Sequence, residues 1–160
     1  PNTPGLRELQ EKDALKKILT HLQALNTNLA VRRPILLKIA PDLSTQQVDD
    51  VIELAREIGL DGLVASNTTI SREGLTTPAA ELERIGTGGL SGLPLKERAT
   101  ELVQYICEKT AGTIPVIASG GIFKGRDARE KLRAGASLVE VWTGFIYEGP
   151  FIVKRISKES

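Results

Sequence analysis

Cysteine and histidine are almost missing from this chain. Its 160 residues contain one Cys, Cys107, and one His, His21. A lone cysteine excludes an intrachain disulfide and a cysteine-rich zinc site. A single histidine removes most His-based metal and triad chemistry. Aromatics are few (three Phe, two Tyr, one Trp) and Met is absent. Neither sign of charge is in excess: 21 basic residues face 20 acidic ones, a formal charge of +1. That balance offers no nucleic-acid groove and no polybasic membrane patch, so nucleic acid is not an expected partner. No apolar run approaches the roughly 18 residues of a transmembrane helix, so no membrane segment is expected in this chain. The opening Pro1-Asn2-Thr3-Pro4-Gly5 carries no signal-peptide pattern. It lacks Met and reads as the inside of a loop, so the expectation is a piece of a longer protein.

What is present is alternation. The composition, 41% hydrophobic and 26% charged with 15 Gly and 8 Pro, is that of an ordinary soluble domain. Leu15, Ile18, Leu19, Leu22 and Leu25 recur at helical spacing. Ile35 to Ile39 is a short apolar run after Pro34 and reads as a strand. Ser44 with Gln47 forms a capping box opening a helix with Val48, Val51, Ile52, Ala55 and Ile58 on one face, and Gly59 sits where a helix-ending glycine belongs. Gly62 to Ser66 reads as a second strand. A long loop is expected from about Asn67 to Leu93, too long for a bland connector. Pro94 then opens a helix bearing Leu95, Ala99, Leu102, Val103 and Ile106. Strands are expected at Ile114 to Ala118 and Leu138 to Val141. Helices are expected from Gly125 to Arg133 and after Pro150. Short apolar strands between amphipathic helices mean a parallel α/β sheet with right-handed crossovers. Four βα units are half of a (β/α)8 TIM barrel, strands 5–8 in the barrel's order, which as a whole takes about 250 residues. An open doubly wound sheet is the alternative, but no Gly-x-Gly-x-x-Gly follows a first strand. Residues 1–160 read as a single partial domain.

Chemistry is expected at the carboxyl ends of these strands. Lys38 shares one strand face with Leu36 and Ala40. Both faces of a parallel strand are normally buried, so a lysine there finds an anion or electron-rich partner or loses its proton. It reads as a snorkelling strand-end lysine, a cofactor contact or a Schiff-base lysine. Gly120-Gly121 after the third strand and Thr143-Gly144 after the fourth allow close backbone approach to a phosphate. Gly86-Thr87-Gly88-Gly89-Leu90-Ser91-Gly92 is either a lid without ligand contact or a backbone surface for a planar ligand or phosphate. Asn67 and Thr68 supply neutral donors and acceptors suited to the edge of a small heterocycle, or merely cap a strand. Cys107 reads as a buried thiol, His21 as structural, and Asp49-Asp50 as a solvated helix face. No Ser-His-Asp triad or paired-carboxylate glycosidase site assembles.

Several motifs occur in order: Pro1-Asn2-Thr3-Pro4-Gly5-Leu6-Arg7, Leu37-Lys38-Ile39-Ala40-Pro41-Asp42-Leu43, Ser66-Asn67-Thr68-Thr69, Thr87-Gly88-Gly89-Leu90-Ser91-Gly92 with Pro94-Leu95, and Arg133-Ala134-Gly135-Ala136-Ser137-Leu138-Val139. Together they closely resemble the carboxyl-terminal half of the dihydroorotate dehydrogenase family, over essentially the whole chain. The first motif is similar to that of the class-two, membrane-associated, quinone-reducing branch. The resemblance implies an FMN-dependent barrel that oxidises dihydroorotate to orotate in pyrimidine biosynthesis and passes electrons to a quinone. It also implies a parent peripheral on the inner membrane, bacterial or mitochondrial. By resemblance Lys38 contacts the pyrimidine edge of the flavin. Ser66, where the family usually has Thr, lies near FMN; Gly92 and Gly121 are FMN-contacting glycines; Trp142 and Thr143 hold the FMN phosphate, with Trp142 in place of the commoner Tyr. Asn67 and Thr68 match the substrate-binding pair, and Asn2 belongs to the active-site loop. The class-two catalytic base is a serine immediately before the Pro-Asn-Thr motif, outside this chain. The implied expectation is no turnover by this chain alone, and association of two copies or another surface over the exposed edges of the half-barrel. A Schiff-base aldolase using Lys38 and a non-catalytic phosphate-binding half-barrel are the rival readings.

Overall fold

The structure, a computed structural model, describes residues 5–159. Four parallel strands, β1 (Leu36–Ile39), β2 (Gly62–Ala65), β3 (Val116–Ser119) and β4 (Leu138–Glu140), lie side by side in chain order. A sheet in which each strand pairs with the next in sequence is a singly wound βα arrangement, and it excludes the doubly wound alternative. The helices are α1 (Lys12–Thr27), α2 (Thr45–Ile58), α3 (Ala79–Ile85), α4 (Lys96–Thr110), α5 (Gly125–Arg133), α6 (Thr143–Glu148) and α7 (Phe151–Glu159).

The strand register separates two faces. Leu37, Ile39, Leu63, Ala65, Val116, Ala118 and Val139 point to the helices, where they join Val48, Val51, Ile52, Ala55, Leu102, Val103 and Ile106 in the main core. Ile122, Ala128, Ile152 and Ile156 form a smaller core under α5 and α7. The opposite face carries Lys38, Val64, Ile117 and Leu138 in one row. On this face Leu138 is 60% exposed and Lys38 reaches solvent, while Val64 between them is buried. The sheet is curved around this face. Flat strands would hold the β1 and β4 backbones about 14 Å apart, three strand spacings, with side chains standing upright from the sheet; the 2.9 Å contact of Lys38 Nζ with the Glu140 carboxylate requires the two long side chains to lean toward each other over a concave face.

Local chemistry explains the element ends. Ser44 Oγ accepts from the Gln47 amide and Gln47 Oε1 accepts from the Ser44 amide, closing the capping box of α2. Gly59 ends that helix in the left-handed conformation at φ 70°. Two elements depart from the sequence reading. The loop expected from Asn67 to Leu93 contains α3, which buries none of its residues. The stretch after the fourth strand is α6, whose Phe145, Ile146 and Tyr147 are exposed. Without a buried face neither has the apolar stripe that marks a helix in sequence. Asp49 and Asp50 are also not on a free solvated face. Asp49 accepts from Tyr105 and Lys109 of α4, and Asp50 from Lys12 of α1, so the pair ties three helices together.

Candidate functional site

The carboxyl ends of all four strands open into one cavity of about 300 Å³. Strand β1 contributes Lys38. The chain leaving β2 contributes Ser66, Asn67 and Thr68, and that leaving β3 contributes Ser119, Gly120 and Gly121. Beyond β4 come Glu140, Trp142 and Thr143, while Ser91 and Gly92 arrive from the glycine-rich segment. Lys38, Ser66, Asn67, Thr68, Gly92, Gly121, Trp142 and Thr143, each singled out from sequence, are thus brought together. Asn2 lies outside the described residues.

The rim is held by backbone ladders continued past the strands. The Ser66 amide donates to Ser119 O at 2.9 Å and the Asn67 amide to Ile39 O at 3.0 Å. Asn67 Oδ1 accepts from the Thr68 amide at 2.9 Å. That contact orients the carboxamide and leaves its NH2 group and the Thr68 hydroxyl without protein partners among the described residues. The long segment from β2 to α4 is pinned rather than loose. Thr69 and Leu90 exchange backbone hydrogen bonds of 3.0 and 2.8 Å. The Asp42 carboxylate accepts from Thr69 Oγ1 and from the Ile70 amide. The Arg72 guanidinium donates to the carbonyls of Thr69, Ile70, Ser71 and Gly88. These contacts carry Ser91 and Gly92 to the cavity, where Ser91 and Thr143 share a hydroxyl hydrogen bond of 3.0 Å. The roles of Asp42 and Arg72 escaped the sequence reading: Asp42 reaches partners 27 and 28 positions away, and Arg72 binds backbone carbonyls, neither of which leaves a spacing pattern.

Two glycines permit close approach. Gly121 has φ 70°, and a Cβ there would sit 2.4 Å from Lys96 Cα; Gly92 has φ 88°, and its Cβ would sit 3.1 Å from Thr143 Cγ2. The turn beneath Gly121 is fixed by Asp127, whose Oδ2 accepts from the Phe123 and Lys124 amides and whose Oδ1 pairs with Lys96 at 2.8 Å. Burial pushes the Asp127 carboxyl up, but the Lys96 ammonium and the two amides outweigh it and hold the group below the usual range. Nearby, Lys131 is fully buried, donating to Lys96 O at 2.8 Å and Thr100 Oγ1 at 2.6 Å. Burial pushes its ammonium down to about 8.

Lys38 has found an anion, one of the outcomes its strand position allowed, and its side chain is 41% exposed, as a lysine reaching solvent from a strand end would be. Its partner is Glu140, which also accepts from the buried Ser119 hydroxyl at 3.2 Å. Lys38 and Glu140 are the only charged side chains lining the cavity among the described residues. Glu140 was missed, although its place two residues beyond Leu138 puts it on the inward face and at a strand end, the signal that found Lys38. His21 is exposed on α1, outside this cavity. Cys107 is half-buried against Gly135, and burial raises its thiol.

Chemically, this is a hollow with a cation and a carboxylate on its sheet side, a carboxamide and hydroxyls on its rim, and glycine backbone toward α4 and α6. A family model described as dihydroorotate dehydrogenase matches residues 1–160. The dihydroorotate dehydrogenase (quinone) of Christiangramia forsetii is 50% identical over 99% of this chain and 46% of its own length. That of Gloeobacter violaceus is 51% identical over 98% of this chain and 42% of its own. Among solved structures, ligand-free type DHODH from Eimeria tenella superposes with a TM-score of 0.90 at 42% identity, covering 99% of this chain and 47% of that one. The same organism's DHODH in complex with ferulenol gives 0.89 at 41% identity, over 99% and 46%. The chain spans under half the length of the relatives it matches.

Proposed function

The chain belongs to the dihydroorotate dehydrogenase family, and from that premise we propose that it is the carboxyl-terminal half of an FMN-binding TIM barrel that oxidises dihydroorotate to orotate with a quinone as acceptor. One observation carries the reading: a single cavity is lined at once by Lys38, by Asn67 and Thr68, and by Gly92, Gly121 and Thr143. These residues fit the cofactor. A phosphate needs hydroxyls and backbone unshielded by side chains, which Thr143, Gly92 and Gly121 offer. An isoalloxazine needs a flat slot with a cation near the end that gains charge. When bound, FMN supplies the two-electron acceptor that substrate carbon chemistry requires.

The protein's own part is binding and electrostatics. Lys38 offers positive charge at the sheet side of the cavity, where it stabilises charge arriving on reduction. Asn67 and Thr68 offer a free NH2 group and hydroxyl that grip and orient the substrate's ring edge. Asn2, outside the described residues, is assigned to substrate binding by family resemblance alone. Ser66 lies near the cofactor, and Trp142 joins Thr143 at its phosphate through backbone N–H, from a rim position where the Trp142 side chain is 73% exposed. By family resemblance the proton acceptor is a serine, a role that none of the residues named here takes. Quinone reduction implies peripheral attachment to an inner membrane; among the described residues no helix is long and apolar enough to cross one.

The outer edges of β1 and β4 each lack a neighbouring strand among the described residues. A complementary half-barrel, or a second copy of this chain, covers them in the working protein. A well-folded monomer of this chain in sedimentation at micromolar concentration counts against that. A Schiff-base aldolase finds little support: Lys38 is ion-paired and open to water, whereas such lysines work desolvated or beside another cation.

The test is titration of the chain with FMN, read on Trp142, the sole tryptophan. Quenching by FMN supports the reading. Quenching by inorganic phosphate but never by FMN favours a non-catalytic phosphate site, and borohydride trapping of a carbonyl substrate on Lys38 favours the aldolase. With FMN and dihydroorotate added, this chain alone gives no steady-state reduction of a quinone analogue.

A further inference from the structure

Glu140 is the one charged group of the cavity that the proposed function leaves unused. It sits at the end of β4, in register with Ser119 of β3. One carboxylate oxygen receives both the Lys38 ammonium at 2.9 Å and the Ser119 hydroxyl at 3.2 Å. The other has no partner among the described residues. Ser119 is buried, so its hydroxyl is a fixed donor that sets the carboxylate's direction. Lys38 is the opposite case, a long side chain 41% exposed, with many rotamers open to it. A surface ion pair of this kind adds little to stability. Its effect is on where the ammonium rests and on the charge of the cavity.

We infer that Glu140 is a positioning residue: held by Ser119, it draws the Lys38 ammonium across the concave face and cancels its charge, so that bound flavin is reduced at a lower potential than Lys38 alone would impose. The inference rests on the FMN reading above. The physical reason is charge balance. Reduction adds negative charge to a flavin, and nearby protein charge tunes how readily that happens. With Lys38 unopposed the cavity side chains carry +1 and favour the reduced form. With Glu140 present they sum to zero. A unit charge at a half-exposed site, screened by water but not abolished, is worth roughly a tenfold change in such a preference.

The experiment is redox titration of the FMN-loaded holoenzyme against reference dyes, comparing the parent with Glu140→Gln and Glu140→Asp. Gln keeps the shape and removes the charge; Asp keeps the charge and shortens the arm. The expected result is that E140Q binds reduced over oxidised FMN about tenfold more strongly than the parent does. That is an upward shift of about 30 mV for a two-electron couple. E140D, which keeps the charge but holds the ammonium less closely, shifts in the same direction by less than E140Q. Equal potentials for all three, or a shift in E140D with none in E140Q, overturn the inference and leave Glu140 a packing group. Failure of the unmodified protein to take up FMN is a different result: it defeats the cofactor reading itself, and this inference with it. Circular dichroism of each variant separates a shifted potential from a damaged fold.

Discussion

Replacing Lys131 by Met tests the energetics directly beneath the candidate site. Lys131 is fully buried between α4 and α5. Burial is the main influence on it and lowers its pKa; Glu130 and Asp127 pull it up, Lys96 pushes it down, and the net value is about 8 against an ordinary 10.5. Each pH unit of that difference is 1.36 kcal/mol, so keeping the charge buried at pH 7 costs about 3 kcal/mol. The sign follows from proton counting. Between about pH 8 and 10.5 the unfolded chain holds a proton that the folded chain has released, so stability rises with pH. Below about pH 8 both forms are charged and the full penalty stands.

Met matches Lys in length and removes the charge. Neither hydrogen-bond acceptor is orphaned by the change, because Thr100 Oγ1 itself donates to Lys96 O at 2.9 Å. K131M is therefore expected to be about 1–3 kcal/mol more stable than the parent at pH 7. In urea titrations the parent should gain about 1 kcal/mol between pH 7 and 9 relative to K131M. Cys107, whose thiol is raised by burial, acts in the opposite direction near pH 9 and above, but it is common to both proteins and cancels in the comparison. Parallel pH profiles, or a loss of more than about 2 kcal/mol for K131M at pH 7, would refute the reasoning; the latter exceeds what a net hydrogen bond contributes.

Three further substitutions probe the scaffold. Gly121→Ala sets a methyl against Lys96 backbone at a positive φ and should cost roughly 2–4 kcal/mol in a denaturant midpoint series; an unchanged midpoint means the turn is not so constrained. Asp127→Asn keeps the shape but weakens the pairing with Lys96, and should cost about 2 kcal/mol at pH 7. Because the Asp127 pKa is lowered in the fold, its stabilisation is present above about pH 4 and lost as pH falls through the folded value, so the variant's acid limb should be the flatter one. Ser44→Ala removes the reciprocal cap of α2 and should lower stability by about 1 kcal/mol, read from the thermal midpoint; no loss would mean the cap is replaced by water at no cost.

What could be read from sequence follows what each residue packs against. The stripe Val48, Val51, Ile52 and Ala55 announces α2 because all four are buried on one side. α3 is silent for the converse reason: Pro78 and Gly86 bracket it as start and stop signals, but it buries nothing between them. The site was legible wherever a short segment holds its own chemistry, as in Ser66-Asn67-Thr68 or Gly120-Gly121, since strand ends of a parallel βα fold share a rim. The pairing of Lys38 with Glu140 was not. The two lie 102 positions apart on strands that are not neighbours in the sheet. Strand parity puts each on the inner face, but they meet only because two long side chains lean together over a concave face. Curvature comes from the twist, tilt and stagger of strands across the whole sheet, and no local spacing encodes it. The same geometry favours the solvent-reaching reading of Lys38 over the desolvated one. A closed barrel would bury that face, whereas four strands leave it partly open, so the surroundings of Lys38 depend on what completes the sheet more than on Lys38's own strand.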